Sequence, residues 1–181
     1  METEHPLNIA FAMAFASSLH KLRVEPERAR ECADTALATC NKHNIGFFRA
    51  FASIVRGWAM AQLGNQTLGT TEIVEGLAAY RGTGADLETP YWLSLVAEVH
   101  ERGNRHSEAL GVVDEALAMI RSKNSRFFCE SELLRLKGEL LLATHPDEHA
   151  QSEQCFVHAI ETARAQGAKS IELRAMVSLC R

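Results

Sequence analysis

The sequence lacks the long apolar runs and paired cysteines that mark several large classes of protein. No run approaches the roughly 20 apolar residues that cross a bilayer. The most apolar N-terminal stretch, residues 10–16, follows Glu2 and Glu4, where a signal peptide would carry positive charge. The five cysteines are scattered and include no Cys-x-x-Cys pair, which favours buried, reduced thiols. We therefore expect a cytoplasmic protein with no membrane partner.

A strong charge of one sign is also missing. Nineteen basic and 23 acidic residues give a net charge of -4, which does not attract nucleic acid over the whole surface. The contents of 46% hydrophobic and 23% charged residues, with only 4 prolines, are typical of a folded globular chain. A length of 181 residues predicts a single domain over residues 1–181.

Glycine-rich phosphate loops are incomplete in this sequence. The nearest approach to a P-loop, residues 64–69, is followed by Thr70 where the phosphate-binding lysine is required. Gly82 and Gly84 begin a dinucleotide motif, but Leu87 stands where the next glycine is needed. We therefore expect a turn between helices at Gly82 and Gly84, and no cofactor.

Two histidine clusters begin like metal sites without completing one. His100 and His106 lie on either side of a predicted helix end at Gly103, so their imidazoles would not share a helix face. Residues 145–149 have histidines four positions apart, but Pro146 predicts an exposed helix start there. No Gly-x-Ser-x-Gly elbow occurs either. The sequence predicts neither a metal site nor an enzyme.

Helical periodicity is the dominant pattern that is present. Apolar residues recur at three- and four-residue spacing, as Val113, Leu117 and Ile120 do, and β-branched alternation is nearly absent. The pattern predicts an all-α protein. The predicted helices cover residues 7–22, 26–43, 47–63, 68–81, 90–102, 106–122, 127–143, 148–166 and 169–180.

The helices form pairs that repeat about every 40 residues. A small residue before a bulky aliphatic one marks the second helix of each pair, at Ala36, Gly76, Ala116 and Ala159. A second small residue precedes each mark by 19 to 21 positions, at Ser17, Gly57, Ala97 and Gly138. Because glycine inside a helix costs about 0.5–1 kcal/mol relative to alanine, Gly57 and Gly138 predict a close approach of two helices.

This repeat predicts stacked antiparallel helix pairs, since no single pair can bury its own apolar face. The expected pairs cover residues 7–43, 47–84, 90–122 and 127–166, and a truncated final helix covers residues 169–181. The chain stops partway through what would be another first helix, so we expect an excised part of a longer protein.

The helix-pair pattern and the Glu108-Ala109-Leu110 step after a glycine turn resemble tetratricopeptide repeats, although 40 residues exceeds the usual 34. The runs LAAYRGTGADLETPYWLSLVAEVHERGNRHSEALGVVDEALAMI, LLRLKGELLL and ETARAQGAKSIELRAMVSLCR resemble the C-terminal repeats of large bacterial regulators. Those regulators join a class III adenylate cyclase-type or DNA-binding output domain to a signal-transducing ATPase. The resemblance covers residues 40–181. It implies a right-handed superhelix of helix pairs and a binding module whose catalytic domains lie upstream.

In tetratricopeptide arrays the first helix of each pair lines a concave groove. Counting from the small residues places Phe51 and Ile54 on that face. The predicted contact residues are Trp58, Gln62, Tyr91, Ser94, Glu98, Arg102, Glu132, Arg135 and Glu139. Such a mixed aromatic and charged surface suits a peptide or protein segment.

Two of these assignments have open alternatives. Trp58 is either a groove residue or a core residue. Glu132, Arg135 and Glu139 share one helix face at i, i+3 and i+7, either as a solvated charge cluster or as ligand contacts.

Three functions are consistent with the sequence. The first is binding of a protein or peptide, including upstream domains of the same polypeptide. The second is a small-molecule sensor with a deep pocket around Trp58 and Tyr91. The third is a homodimer or oligomerisation scaffold formed through Ile171, Leu173 and Met176 in the last helix.

Overall fold

A computed structural model describes residues 5–122, 127–145 and 149–180. Within these stretches the chain forms nine α-helices and no strand, which confirms the predicted all-α class. The helices are α1 (Pro6–Leu22), α2 (Pro26–His43), α3 (Gly46–Gln62), α4 (Gln66–Gly82), α5 (Thr89–Arg102), α6 (His106–Ser122), α7 (Glu130–Thr144), α8 (His149–Gln166) and α9 (Lys169–Leu179). None of the described helices is long and apolar enough to cross a membrane.

The observed helix ends lie within two residues of the predicted ends, except at the start of α7. The predicted start at residue 127 is wrong, because the Glu130 amide donates to the Phe127 carbonyl over 3.1 Å in a tight turn that precedes the helix. His145 is exposed and α8 begins at His149. Residues 146–148, where an exposed helix start is predicted, lie outside the described residues.

The turns inside the helix pairs repeat the same backbone geometry. Val24, Gly64 and Asn104, spaced 40 residues apart, have left-handed φ angles of 58°, 92° and 56°. In each turn the amide of the following residue donates to the carbonyl oxygen five positions before it, over 2.9 Å. This hydrogen bond belongs to the capping motif that ends helices with a left-handed residue. The 40-residue period is therefore present in the backbone as well as in the sequence.

The second helices bury one common set of positions. In α2, α4, α6 and α8 the buried side chains lie at i, i+4, i+7, i+8 and i+11, which form one helix face. The four sets are Ala29, Ala33, Ala36, Leu37 and Cys40; Gly69, Ile73, Gly76, Leu77 and Tyr80; Ala109, Val113, Ala116, Leu117 and Ile120; and Ser152, Phe156, Ala159, Ile160 and Ala163.

Glycine allows α3 and α4 to meet backbone to backbone. A Cβ atom on Gly57 would lie 2.6 Å from the Ile73 amide nitrogen and 2.8 Å from the Gly69 carbonyl oxygen. A Cβ atom on Gly69 would lie 2.5 Å from the Gly57 carbonyl oxygen. The close approach predicted at Gly57 is confirmed. At Gly138 the neighbour is instead an aromatic ring, because Cε1 of Phe156 would lie 2.5 Å from an added Cβ.

The chain packs as two compact units, Met1–Trp92 and Leu93–Arg181. In the first unit α1 packs on α2 and α3, α2 packs on α3, and α3 packs on α4. In the second unit α7 packs on α6, α8 and α9, and α8 packs on α9. The predicted contact residues fall into both units, and each group is described within its own unit.

Candidate functional site

Lys21, which the sequence pattern did not single out, joins two predicted contact residues of the first unit. Its ammonium nitrogen lies 5.7 Å from the centroid of the Trp58 ring and 5.5 Å from that of Tyr91. Both distances are within the range of a cation–π interaction. Trp58 is 2% exposed and Tyr91 is 9% exposed, so Trp58 is a core residue. A lysine in the last turn of α1 is expected from the helix dipole alone, and hence no sequence signal marked it.

An aromatic cluster extends the first-unit core from this region. Phe51 is buried, and its ring centroid lies 4.7 Å from Trp92 and 5.2 Å from Phe15. Phe15 lies 4.7 Å from Phe11. Phe51 and Ile54, both predicted on the groove face, are therefore core residues as well.

The apolar cluster continues onto an exposed face of α1. The α1 stripe consists of Leu7, Phe11, Phe15, Leu19 and Leu22, which are 45%, 51%, 44%, 55% and 65% exposed. Phe11 and Phe15 are partly held by ring contacts with Phe48 and Phe51. The four-residue spacing of these bulky residues was available in the sequence, but apolar residues at helical spacing ordinarily predict core.

The three charged residues predicted on one face of α7 form an ion-paired group. Arg135 donates to Oε1 of Glu132 over 2.7 Å, and its Nη1 lies 2.5 Å from Oε2 of Glu139. Burial alone would lower the pKa of Arg135, but the hydrogen bonds and charges of the two carboxylates raise it. The side chain of Arg135 is only 10% exposed. The group is therefore a partly buried network rather than a solvated cluster.

The last helix covers part of this network. Nη2 of Arg174, on α9, lies 2.9 Å from Oε1 of Glu132. The Ser178 hydroxyl donates to Oε1 of Glu139 over 2.9 Å. The predicted contact residues of α7 thus stabilise the packing of α9 in addition to any role in binding.

Glu101 adds negative charge to this region, although it was not among the contact residues predicted from the sequence. Burial raises its pKa, and the charges of Glu139, Glu98 and Glu132 raise it further, while Arg135 lowers it. Four carboxylates therefore interact around one buried guanidinium in the second unit. We call Glu98, Glu101, Glu132 and Glu139 the acidic face. The i, i+3 spacing of Glu98 and Glu101 was the sequence signal that Glu101 lies beside the predicted contact residue Glu98.

The remaining predicted contact residues differ in accessibility. In the first unit Gln62 is half-buried. In the second unit Ser94 is 3% exposed, Glu98 is half-buried and Arg102 is exposed. Ser94 therefore offers little surface to a ligand, whereas Arg102 is accessible.

Histidines and cysteines form no group that could hold a metal ion within the described residues. Burial lowers the pKa of His100, whose Nδ1 has no hydrogen-bond partner. Burial also raises the pKa of the Cys32, Cys40 and Cys155 thiols, which disfavours the reactive thiolate. No disulfide joins any of the five cysteines, all of which lie within the described residues.

Comparison of the sequence with protein-family models and with curated proteins finds no match.

Proposed function

We propose that the chain is a non-catalytic repeat module that binds a segment of another protein. The repetition of the same turn and of the same buried helix positions is the observation that carries this proposal. The same left-handed turn and the same five buried positions recur along the chain, as in arrays whose repeats stack and present a binding surface. This regularity supports a right-handed superhelix of tetratricopeptide-like antiparallel pairs. The family resemblance supports a place in a cytoplasmic bacterial signalling regulator, with an upstream domain of the same polypeptide as one candidate partner.

The acidic face is the surface of the second unit that we assign to binding. Glu132 and Glu139 keep side-chain exposures of 17% and 28% despite their bonds to Arg135. Glu98 and Glu101 are half-buried on α5, and Arg102 beside them is exposed. The face holds four carboxylates, of which Glu132 and Glu139 are ion-paired with Arg135, and Glu132 also lies 2.9 Å from Nη2 of Arg174. A protein segment rich in lysine or arginine has the complementary charge.

A small-molecule sensor is the weaker alternative in the first unit. That function calls for a deep pocket between Trp58 and Tyr91. The Lys21 ammonium instead lies over both rings, and Trp58 is 2% exposed. These contacts favour an internal role for the two aromatic residues.

The proposal is tested by titrating the chain into fluorescently labelled amphipathic peptides of about 15 residues, one series with lysine and one with glutamate on the polar face. We expect micromolar binding of the lysine series only, weakening as salt is added. Glu98→Lys should weaken that binding by about tenfold, which corresponds to about 1.4 kcal/mol. Glu153→Lys, at an exposed position on α8, is the matched control and should leave it unchanged.

Equal binding of both peptide series would contradict the assigned charge complementarity. Equal losses from Glu98→Lys and Glu153→Lys would indicate a general effect of net charge and remove the acidic face from the proposal.

A further inference from the structure

Two residues of the α1 stripe, Phe15 and Leu19, occupy helix positions that are buried in the later first helices. Phe15 and Leu19 are 44% and 55% exposed, whereas the residues 40 positions later, Val55 and Ala59, are fully buried. The residues at the same positions in α5 and α7 are also 0–2% exposed, and they are Leu95, Val99, Leu136 and Leu140. Around Phe15 and Leu19 the stripe is therefore a packing face that is exposed in α1.

Packing of α3 shows how this face is normally used. In the first unit α3 packs on α1, α2 and α4, and Val55 and Ala59 are fully buried in it. The equivalent residues of α1, Phe15 and Leu19, stay about half exposed among the described residues. A helical surface of matching shape is the natural partner of this face.

The order of the side chains points to a second copy of the same helix. Leu7, Phe11, Phe15 and Leu19 follow one another at four-residue spacing, and the order Leu-Phe-Phe-Leu is the same in both directions. We propose that the stripes of two copies pair antiparallel about a twofold axis between Phe11 and Phe15. Each phenylalanine then faces the other phenylalanine position of the partner copy, and each leucine faces the other leucine position. A twofold interface requires this kind of self-complementarity.

Charge does not oppose this pairing. Residues 6–19 contain no acidic or basic side chain, so the centre of the interface brings no like charges together. The first cations after them have internal partners. Lys21 lies over two aromatic rings, and Nη2 of Arg23 lies 2.9 Å from Oε1 of Glu25. An acidic or basic partner would find no matching charge along residues 6–19. The same segment of a second copy is itself uncharged and would require no matching charge.

The exposed area is sufficient for a weak dimer. Five bulky side chains that are about half exposed present roughly 500 Å² per copy, taking about 200 Å² for each full side chain. Two copies would bury about 1,000 Å², which is the lower bound of specific interfaces. The contacts of Phe11 and Phe15 with Phe48 and Phe51 orient the central rings before association. We expect a dissociation constant in the micromolar range.

Sedimentation equilibrium of the full chain, at about 1 to 300 µM, tests the pairing with paired charge substitutions. Leu19→Glu and Leu7→Lys should each weaken dimerisation at least tenfold, because each places two charges in an apolar interface. The double variant should recover most of the affinity, because each new lysine meets a new glutamate of the partner copy. Leu68→Glu, at a 62% exposed position on α4, is the matched control and should have no effect. Thermal unfolding of each variant checks that it is folded.

Four results would overturn the proposal. A monomer at 300 µM excludes the dimer. If the dimer persists in Leu19→Glu, or if it is lost in Leu173→Glu on α9, then the dimer forms through another surface. A double variant weaker than either single variant excludes antiparallel pairing. A monomer that binds phosphatidylglycerol vesicles through Leu19 assigns the stripe to lipid. These results are independent of the peptide titrations on the second unit.

Discussion

Replacing Gly57 with alanine tests whether helix backbones meet directly in the first unit. On helix propensity alone the change would stabilise α3 by about 1 kcal/mol. The added Cβ would, however, lie 2.6 Å from the Ile73 amide nitrogen and 2.8 Å from the Gly69 carbonyl oxygen. These are backbone atoms that no side-chain rotation can move, so α3 and α4 must separate by several tenths of an ångström. Overpacking of this kind costs about 1–3 kcal/mol. The gain of about 1 kcal/mol offsets part of this cost, so we expect a net loss of up to about 2 kcal/mol.

Urea unfolding measures this loss, because Trp58 and Trp92, the only tryptophans of the chain, both lie in the first unit and report on it by fluorescence. Gly111→Ala is the control. Gly111 lies inside α6, is exposed, and has no atom within 4 Å of an added Cβ. It should stabilise the chain by about 0.5–1 kcal/mol, measured by circular dichroism. If Gly57→Ala also stabilises, the close approach does not limit packing and the reasoning is wrong.

Three further changes test the turns and the charges. Val24→Gly should stabilise the chain by about 1 kcal/mol in thermal or urea unfolding. A β-branched residue is strained at a φ of 58°, and removing the exposed Val24 side chain loses little packing. A loss of stability would contradict this. Glu101→Gln should raise stability at neutral pH and flatten its pH dependence. The folded state holds the Glu101 proton more tightly than the unfolded state does, so the stability of the wild type falls as pH rises from the ordinary carboxyl pKa to the raised one. If Glu101→Gln shows the same slope of unfolding free energy against pH as the wild type, this reasoning is wrong. Arg135→Met should cost about 1–3 kcal/mol in urea unfolding at pH 7, because Glu132 and Glu139 then face each other partly buried. The cost should shrink as salt is added, because salt screens the two like charges, and a cost that salt leaves unchanged would point to packing instead.

The sequence pattern predicted most of the fold, because helix periodicity and the positions of the small residues can be read from short stretches of sequence. The small residue at Gly57 predicted a close approach because its helical cost has to be offset by packing. The start of α7 was misplaced because the turn before Glu130 involves no glycine or proline. That turn is set by backbone hydrogen bonds, which leave no sequence signal of their own.

The candidate site was less predictable because accessibility is a property of packing between helices. Counting from Gly57 left Trp58 either on the groove face or in the core, and it could not show that Lys21 from α1 lies over the ring. The i, i+3 and i+7 rule predicted that the Glu132 group shares a face, yet its contact with Arg174 depends on how α9 packs. The apolar period of α1 was visible, while its exposure depends on whether another helix covers it.

The backbone contact between Gly57 and Gly69 also determines how the first unit opens. Water cannot reach the amides at this contact by the fluctuation of a side chain, since no side chain separates the two helices there. Opening requires α3 and α4 to part as whole helices, which is a cooperative event. Amide protons around Gly57 and Ile73 should therefore exchange with deuterium only through unfolding of the whole first unit. Their exchange rates would measure the global stability of that unit, while the ends of α1 report local fraying.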